Sequence, residues 1–181
     1  MPFLSDLHIL NAVKAALEAL PHPDLPAEKL FERVDFHENK KLREALRDLT
    51  IIKQRVAIVV PGGESFANQR EGRTVRSERA FTFDLLIADR AWTKGGHEAV
   101  FGGDKNLGVL RMKDVVVKHF VAHPQIGLPY VTLQPQDGAQ IELADDQVKD
   151  VPGRECYVLN YTTPAGEETL RPTQPFPFPN P

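Results

Sequence analysis

At 181 residues the chain has the length of one ordinary domain, enough to bury a core without disulfide or metal staples. Its 41% hydrophobic and 26% charged content is globular, no apolar run reaches the ~18 residues of a membrane span, and a formal net charge of −3 argues against a dedicated duplex-binding protein, which needs clustered Lys and Arg. The single cysteine, Cys156, excludes an internal disulfide and sits in the apolar run Cys-Tyr-Val-Leu, where it reads as a small hydrophobe.

Met1-Pro-Phe-Leu-Ser-Asp-Leu-His opens the chain without the basic and apolar regions of a secretory signal, which predicts cytoplasmic synthesis. A helix is expected from about Ser5 to Leu20: Ser5 or Asp6 can cap it, Leu10, Val13, Leu17 and Leu20 recur at helical spacing, and Pro21-His22-Pro23 stops it. Between Asp24 and Phe36 the alternation of Leu30, Glu32, Val34 and Phe36 favours an edge strand after a short turn, over a helical turn at Glu28 to Arg33. A second helix is expected from about Glu38 to Leu49, with Leu42, Ala45, Leu46 and Leu49 on one stripe. Lys40, Lys41, Arg43 and Arg47 on it alternate with Glu38, Glu44 and Asp48, which reads as a salt-bridged solvent face and not as a nucleic-acid patch.

The next unit carries the most information. Val56 to Val60 reads as a central strand, and about Val75 to Asp89 as a second long strand. The latter has Phe81, Phe83, Leu85 and Ile87 on a core face, and Thr82, Asp84, Leu86 and Ala88 on a partly covered one. The polar segment between them, Pro61-Gly62-Gly63 through Gly72 and on to Arg76, is far longer than the ~2 to 5 residues of a hairpin loop. It reads as an irregular arm that touches something. Phe66 is the only large apolar side chain in its middle, so it is the expected anchor against a neighbouring subunit, with Arg70 and Arg73 supplying charged contacts around it; the alternative is a Phe66 folded back on its own domain.

A second irregular loop is expected from Trp92 to Gly108, punctuated by five glycines and containing Phe101 and Lys105. A helix follows from about Val109 to Val121, with Val109, Met112, Val116, Val117 and Phe120 inward and Pro124 ending it. Strands are expected at Tyr130 to Leu133, paired with Ile141 to Leu143 across a turn at Gln136-Asp137-Gly138, and at Arg154 to Thr163. From Arg171 to Pro181 proline stands at nearly every second position, so residues 171–181 form an extended arm beyond a domain of residues 1–170. Either it is a disordered end, or it lays Phe176 and Phe178 into a neighbouring subunit.

No constellation of catalytic residues stands out. His119 and His123 have a spacing that suits a metal, but Phe120 occupies the place of the glutamate that follows the first histidine in the metalloprotease pattern, and no third ligand is signalled. Gly102-Gly103-Asp-Lys105-Asn-Leu-Gly108 precedes a helix as a phosphate loop does, yet lacks the Gly-Lys-Ser/Thr ending and a feeding strand. Ser65, His97 and Asp104 lie on separate loops, and Gly63-Glu-Ser-Phe-Ala lacks the second glycine of a nucleophile elbow. The expectation is a non-enzyme that requires no metal and no cofactor. The alternative is a small cytoplasmic α/β enzyme or ligand-binding domain using the Gly95 to Gly108 loop.

In its order of elements the chain resembles the tail terminator, or tail completion, family of tailed bacteriophages and phage-like particles. The resemblance rests on the leading helix, Leu49 to Pro61 with its Ala-Ile-Val-Val-Pro-Gly-Gly strand exit, the long arm between strands, the aromatic Phe81 to Ile87 strand, the Gly108-Val-Leu-Arg-Met-Lys-Asp-Val-Val helix and the closing Tyr157 to Tyr161 strand. It covers most of residues 5–165; the proline-rich tail has no counterpart. It implies a small α/β subunit, while the helices from about Ser5, Glu38 and Val109, apolar on one stripe only, predict a single α+β domain, a twisted and mostly antiparallel sheet with those helices packed on it. The resemblance also implies a homo-oligomeric ring, a hexamer, capping the tail tube on its head side. The implied partners are the tail tube protein and a head–tail connector protein, with DNA passing through the ring without sequence-specific binding and with no membrane. The implied location is the virion tail, assembled in the host cytoplasm.

Overall fold

The computed structural model describes residues 5–37, 54–71, 74–90, 97–104, 106–128, 131–141 and 154–170. Over these the chain is a single α+β domain of one five-stranded sheet and three helices. In chain order these are α1 (Asp6–Ala19), β1 (Arg33–Phe36), β2 (Val56–Glu71), β3 (Thr74–Arg90), α2 (His97–Phe101), α3 (Val109–Ala122), β4 (Gln134–Ile141) and β5 (Arg154–Leu170). The strand order is β1-β2-β3-β5-β4, with β1 parallel to β2 and every other pair antiparallel. The helix expected over Glu38 to Leu49 and the tail of residues 171–181 lie outside the described residues.

Alternation along the strands separates two apolar faces. On the first, Phe81, Phe83, Leu85 and Ile87 of β3 join Ala57, Val59, Leu159 and Tyr161 beneath Ile9, Leu10, Val13 and Leu17 of α1 and Val109, Met112, Val116 and Phe120 of α3. Phe83 stacks on Tyr161 at 5.4 Å between ring centres and Phe120 meets Tyr161 edge-on at 5.5 Å, contacts worth ~0.5–1.5 kcal/mol each beyond area burial. The second face buries Val56, Ile58, Val60, Leu86, Ala88 and Cys156. Farther along β3 on that face Asp84 is half-buried and Thr82 exposed, so the partial cover expected there is what forms. Val117 packs against the core from a partly buried position.

Several local expectations are corrected. Ser5 Oγ engages His8 Nδ1 at 2.9 Å and makes no side-chain cap, while Asp6 pairs with Arg79. The loop from Trp92 to Gly108 contains a short helix, α2, because His97-Glu-Ala-Val-Phe101 has helix-forming residues between its glycines. Residues 131–133 are not a strand, and Gln136-Asp137-Gly138 is no turn: all three lie inside β4, where a register shift between Pro135 and Gly138 absorbs them against β5.

The largest correction concerns the arm between β2 and β3. It is no loop. β2 runs unbroken from Val56 to Glu71 and pairs with β3 down to Glu71 opposite Thr74, so only Gly72 and Arg73 separate the two strands. Polar residues of low strand propensity form strand here because β3 pairs them on one side and is itself paired by β5 on the other, as far as Val75 opposite Leu170.

Candidate functional site

The three strands β2, β3 and β5 outrun the rest of the sheet. β1 ends opposite Val59, and β4 ends opposite Thr162, whereas the row Arg70, Val75 and Leu170 lies far beyond both. From the level of Phe81 to that of Val75 this blade is about 20 Å long at ~3.3 Å per residue. Within the single strand β2, Val56 to Val60 are all buried and Pro61 to Ala67 are all exposed. A strand buried on both faces thus becomes one exposed on both faces, so the blade stands clear of its own core.

The neck of the blade is built from identifiable chemistry. Pro61, Gly62 and Gly63 form a bulge against β3. Thr82 Oγ1 accepts the Gly63 N–H and donates to the Gly63 carbonyl, both at 2.9 Å. A Cβ on Gly62 would lie 2.6 Å from the Thr82 carbonyl oxygen, so glycine is required there. A second bulge, between Glu78 and Ala80 against β5, lies three residues, or about 10 Å at ~3.3 Å per residue, farther out along β3 than the first. Arg79 continues the core row of Phe81 and Phe83, and its guanidinium pairs with Asp6 in the first turn of α1 and with Glu64 of β2. Only 6% of that side chain is exposed. The cluster closes the core and pins the blade to α1.

Phe66 lies opposite Arg79 in the β2–β3 register and is 55% exposed, so it does not fold back on its own subunit. Leu7, next to Asp6 in α1, is 64% exposed, a second exposed apolar side chain adjacent in sequence to a member of the cluster. Arg70 stands in β2 opposite Val75. Phe101 ends α2, exposed, its ring tilted against that of His97 at 4.9 Å. Arg73, Lys105, Phe176 and Phe178 lie outside the described residues. The Asp6–Arg79–Glu64 cluster was missed in the sequence, although the row Arg79, Phe81, Phe83, Leu85, Ile87 signals it: an arginine at the end of a core row must find anions.

The chemical alternatives acquire specific structures. Ahead of α3, Gly108 has φ 83° and its N–H donates to Asp89 Oδ2 at 2.8 Å; Asp89 Oδ1 accepts the Arg90 N–H at 2.8 Å. Asn106, which also donates to the Arg90 carbonyl at 2.7 Å, hydrogen-bonds Asp89. Asp89 is fully buried, and burial pushes its carboxyl up to about 6, against the opposing pull of these donors and of Arg55. The end of α3 that a phosphate loop would offer to an anion already holds this carboxylate.

His119 and His123 stand 5.1 Å apart between ring centres, and burial, then His123, lowers the His119 pKa. Among the described residues no group of three or more His, Cys, Asp or Glu can hold a metal. Ser65 stands on the exposed part of β2, apart from His97 in α2 and Asp104 after it, and no hydrogen bond joins the three. Burial pushes the Cys156 thiol up to about 12, well away from nucleophilic use at neutral pH. Among the described residues no helix is long and apolar enough to cross a membrane. No protein-family model matches the chain, and no curated protein matches it.

Proposed function

We propose that this protein is a structural assembly subunit of the tail-terminator type, which forms a ring on itself and caps a phage tail tube on its head side. The observation that carries the reading is the change along β2 from burial on both faces, at Val56 to Val60, to exposure on both faces, at Pro61 to Ala67. A domain gains nothing for its own core by extending three strands about 20 Å past it. A ring subunit, by contrast, must present one surface and accept a different one in every copy, and a blade held at a fixed angle by Arg79 and two bulges provides the first of these. Phe66 at the neck is the anchor in this reading, and the resemblance in element order supplies the tail. The tube protein and the connector are the further partners, and DNA passes without sequence-specific contact, consistent with a net charge of −3.

The test is assembly. Light scattering and negative-stain imaging of the purified chain should show rings. A variant in which residues 68–77 are excised and Ala67 is joined to Glu78 through an Asn-Gly turn keeps the paired register and should stay folded but monomeric. A parent that stays monomeric at all concentrations, or a shortened variant that still forms rings, would refute the proposal.

A further inference from the structure

We infer that, in the ring proposed above and resting on that reading, the upper edge of β2 in one copy pairs in parallel with the upper edge of β5 in the next. Beyond Val59 the outer edge of β2 has no partner strand among the described residues, and beyond Thr162 neither has the outer edge of β5. The two edges run side by side for the height of the blade: Ala67, Glu78 and Glu167 form one row and Arg70, Val75 and Leu170 another. Both strands are antiparallel to β3, so they point the same way.

Each edge carries a row of main-chain N–H and C=O groups that need partners, and an edge left open on a long strand invites uncontrolled pairing. A two-fold contact of β2 with β2, or of β5 with β5, satisfies one edge and leaves the other open. A rotation about an axis running along the strands instead brings the β5 edge of one copy beside the β2 edge of the next with matched direction and length. It satisfies both edges in every copy by one heterologous contact, and such contacts close into a ring when the rotation from copy to copy divides a full turn. Backbone pairing also explains how a segment as polar as Gly63-Glu-Ser-Phe-Ala-Asn-Gln-Arg-Glu71 can form an interface: the main chain supplies the bonds, and Phe66 supplies local apolar area.

Cysteine pairs test this directly, because the parent's only cysteine, Cys156, is buried and stays silent. Ala67→Cys is combined with Glu167→Cys or with Thr169→Cys, two positions that allow for register, and the assembled protein is mildly oxidised. At least one double variant should give a ladder of covalent multimers on a non-reducing gel, and each single variant should stay monomeric. In the parent, amides of Glu64 to Glu71 and Ala165 to Leu170 should exchange at least about tenfold more slowly in the ring than in the dilute subunit. Rings without a ladder and without that protection would overturn edge pairing and leave the ring reading standing. Single variants that cross-link to dimers would replace it with a two-fold contact. A parent that forms no rings would overturn both readings.

Discussion

Asp89 permits the sharpest test of the fold's electrostatics. It is fully buried at the end of β3, its carboxyl is pushed up to about 6 from the ordinary 3.8, and burial outweighs the hydrogen bonds from Gly108, Arg90 and Asn106 and the pull of the Arg55 cation. A gap of about two pH units, at ~1.36 kcal/mol per unit, makes the ionised state about 3 kcal/mol costlier in the folded chain than in the unfolded one. The sign follows from the direction. A carboxyl whose folded pKa is raised favours folding fully below about 4, and this contribution is lost as pH rises to about 6, beyond which it stays constant. Carbon-detected NMR of the Asp89 carboxyl should show a midpoint near 6. Urea unfolding of parent and Asp89→Asn from pH 4 to 7 should show the parent losing about 3 kcal/mol relative to the variant across that window. The variant should also be weaker at pH 4, because its amide turns a donor towards one of the two backbone N–H groups. A carboxyl midpoint at or below 4 would refute the reasoning and would mean that the α3 terminus and Asn106 outweigh burial.

Arg79→Met leaves Asp6 and Glu64 facing each other without their cation; both carboxylates are about a third exposed and can rehydrate, so the loss should be about 2–3 kcal/mol, or roughly 5–10 °C in melting temperature. A melt within 1 °C of the parent would show that the cluster contributes nothing. Gly108→Ala places a Cβ 2.3 Å from the Gly102 nitrogen at a φ of +83°, and should cost about 2 kcal/mol or more in urea unfolding. Tyr161→Phe removes a buried hydroxyl that has no hydrogen-bond partner among the described residues and should be neutral or stabilising by up to about 1 kcal/mol; a clear loss in the same assay would reveal a partner for it. Cys156 should react with an aromatic disulfide reagent only at the rate of unfolding, and fast labelling of the folded chain would contradict its burial.

What the sequence made legible was what its hydrophobic period specifies. The row Phe81, Phe83, Leu85, Ile87, the stripes of α1 and α3 and the inward side of β5 all follow from repeats of two or of three to four residues. The blade was not legible, because pairing and not propensity makes it a strand: Pro61-Gly62-Gly63 is turn chemistry locally, and only the bulge against Phe83 and Phe81 keeps the chain in the sheet. The same competition hid β4, where Asp137-Gly138 signals a hairpin but Gly138 is needed for clearance from Tyr157, 2.9 Å from any added Cβ. The buried partners at the site, Asp89 to Gly108 and Arg79 to Asp6, join residues distant in sequence, and no local period carries such pairs.

The continuity of β2, β3 and β5 has a mechanical consequence. No flexible connector lies between tip and core, so a pull on the tip along the strand axis loads the inter-strand hydrogen bonds of the body together, in shear, and not one after another as in peeling. Sideways compliance is concentrated at the two bulges, beside Thr82 and, about 10 Å farther out along β3, beside Arg79. The subunit therefore behaves as a stiff lever with a sprung neck, and replacing Gly62 or Thr82 changes the spring at the neck's lower bulge without touching either end of the lever.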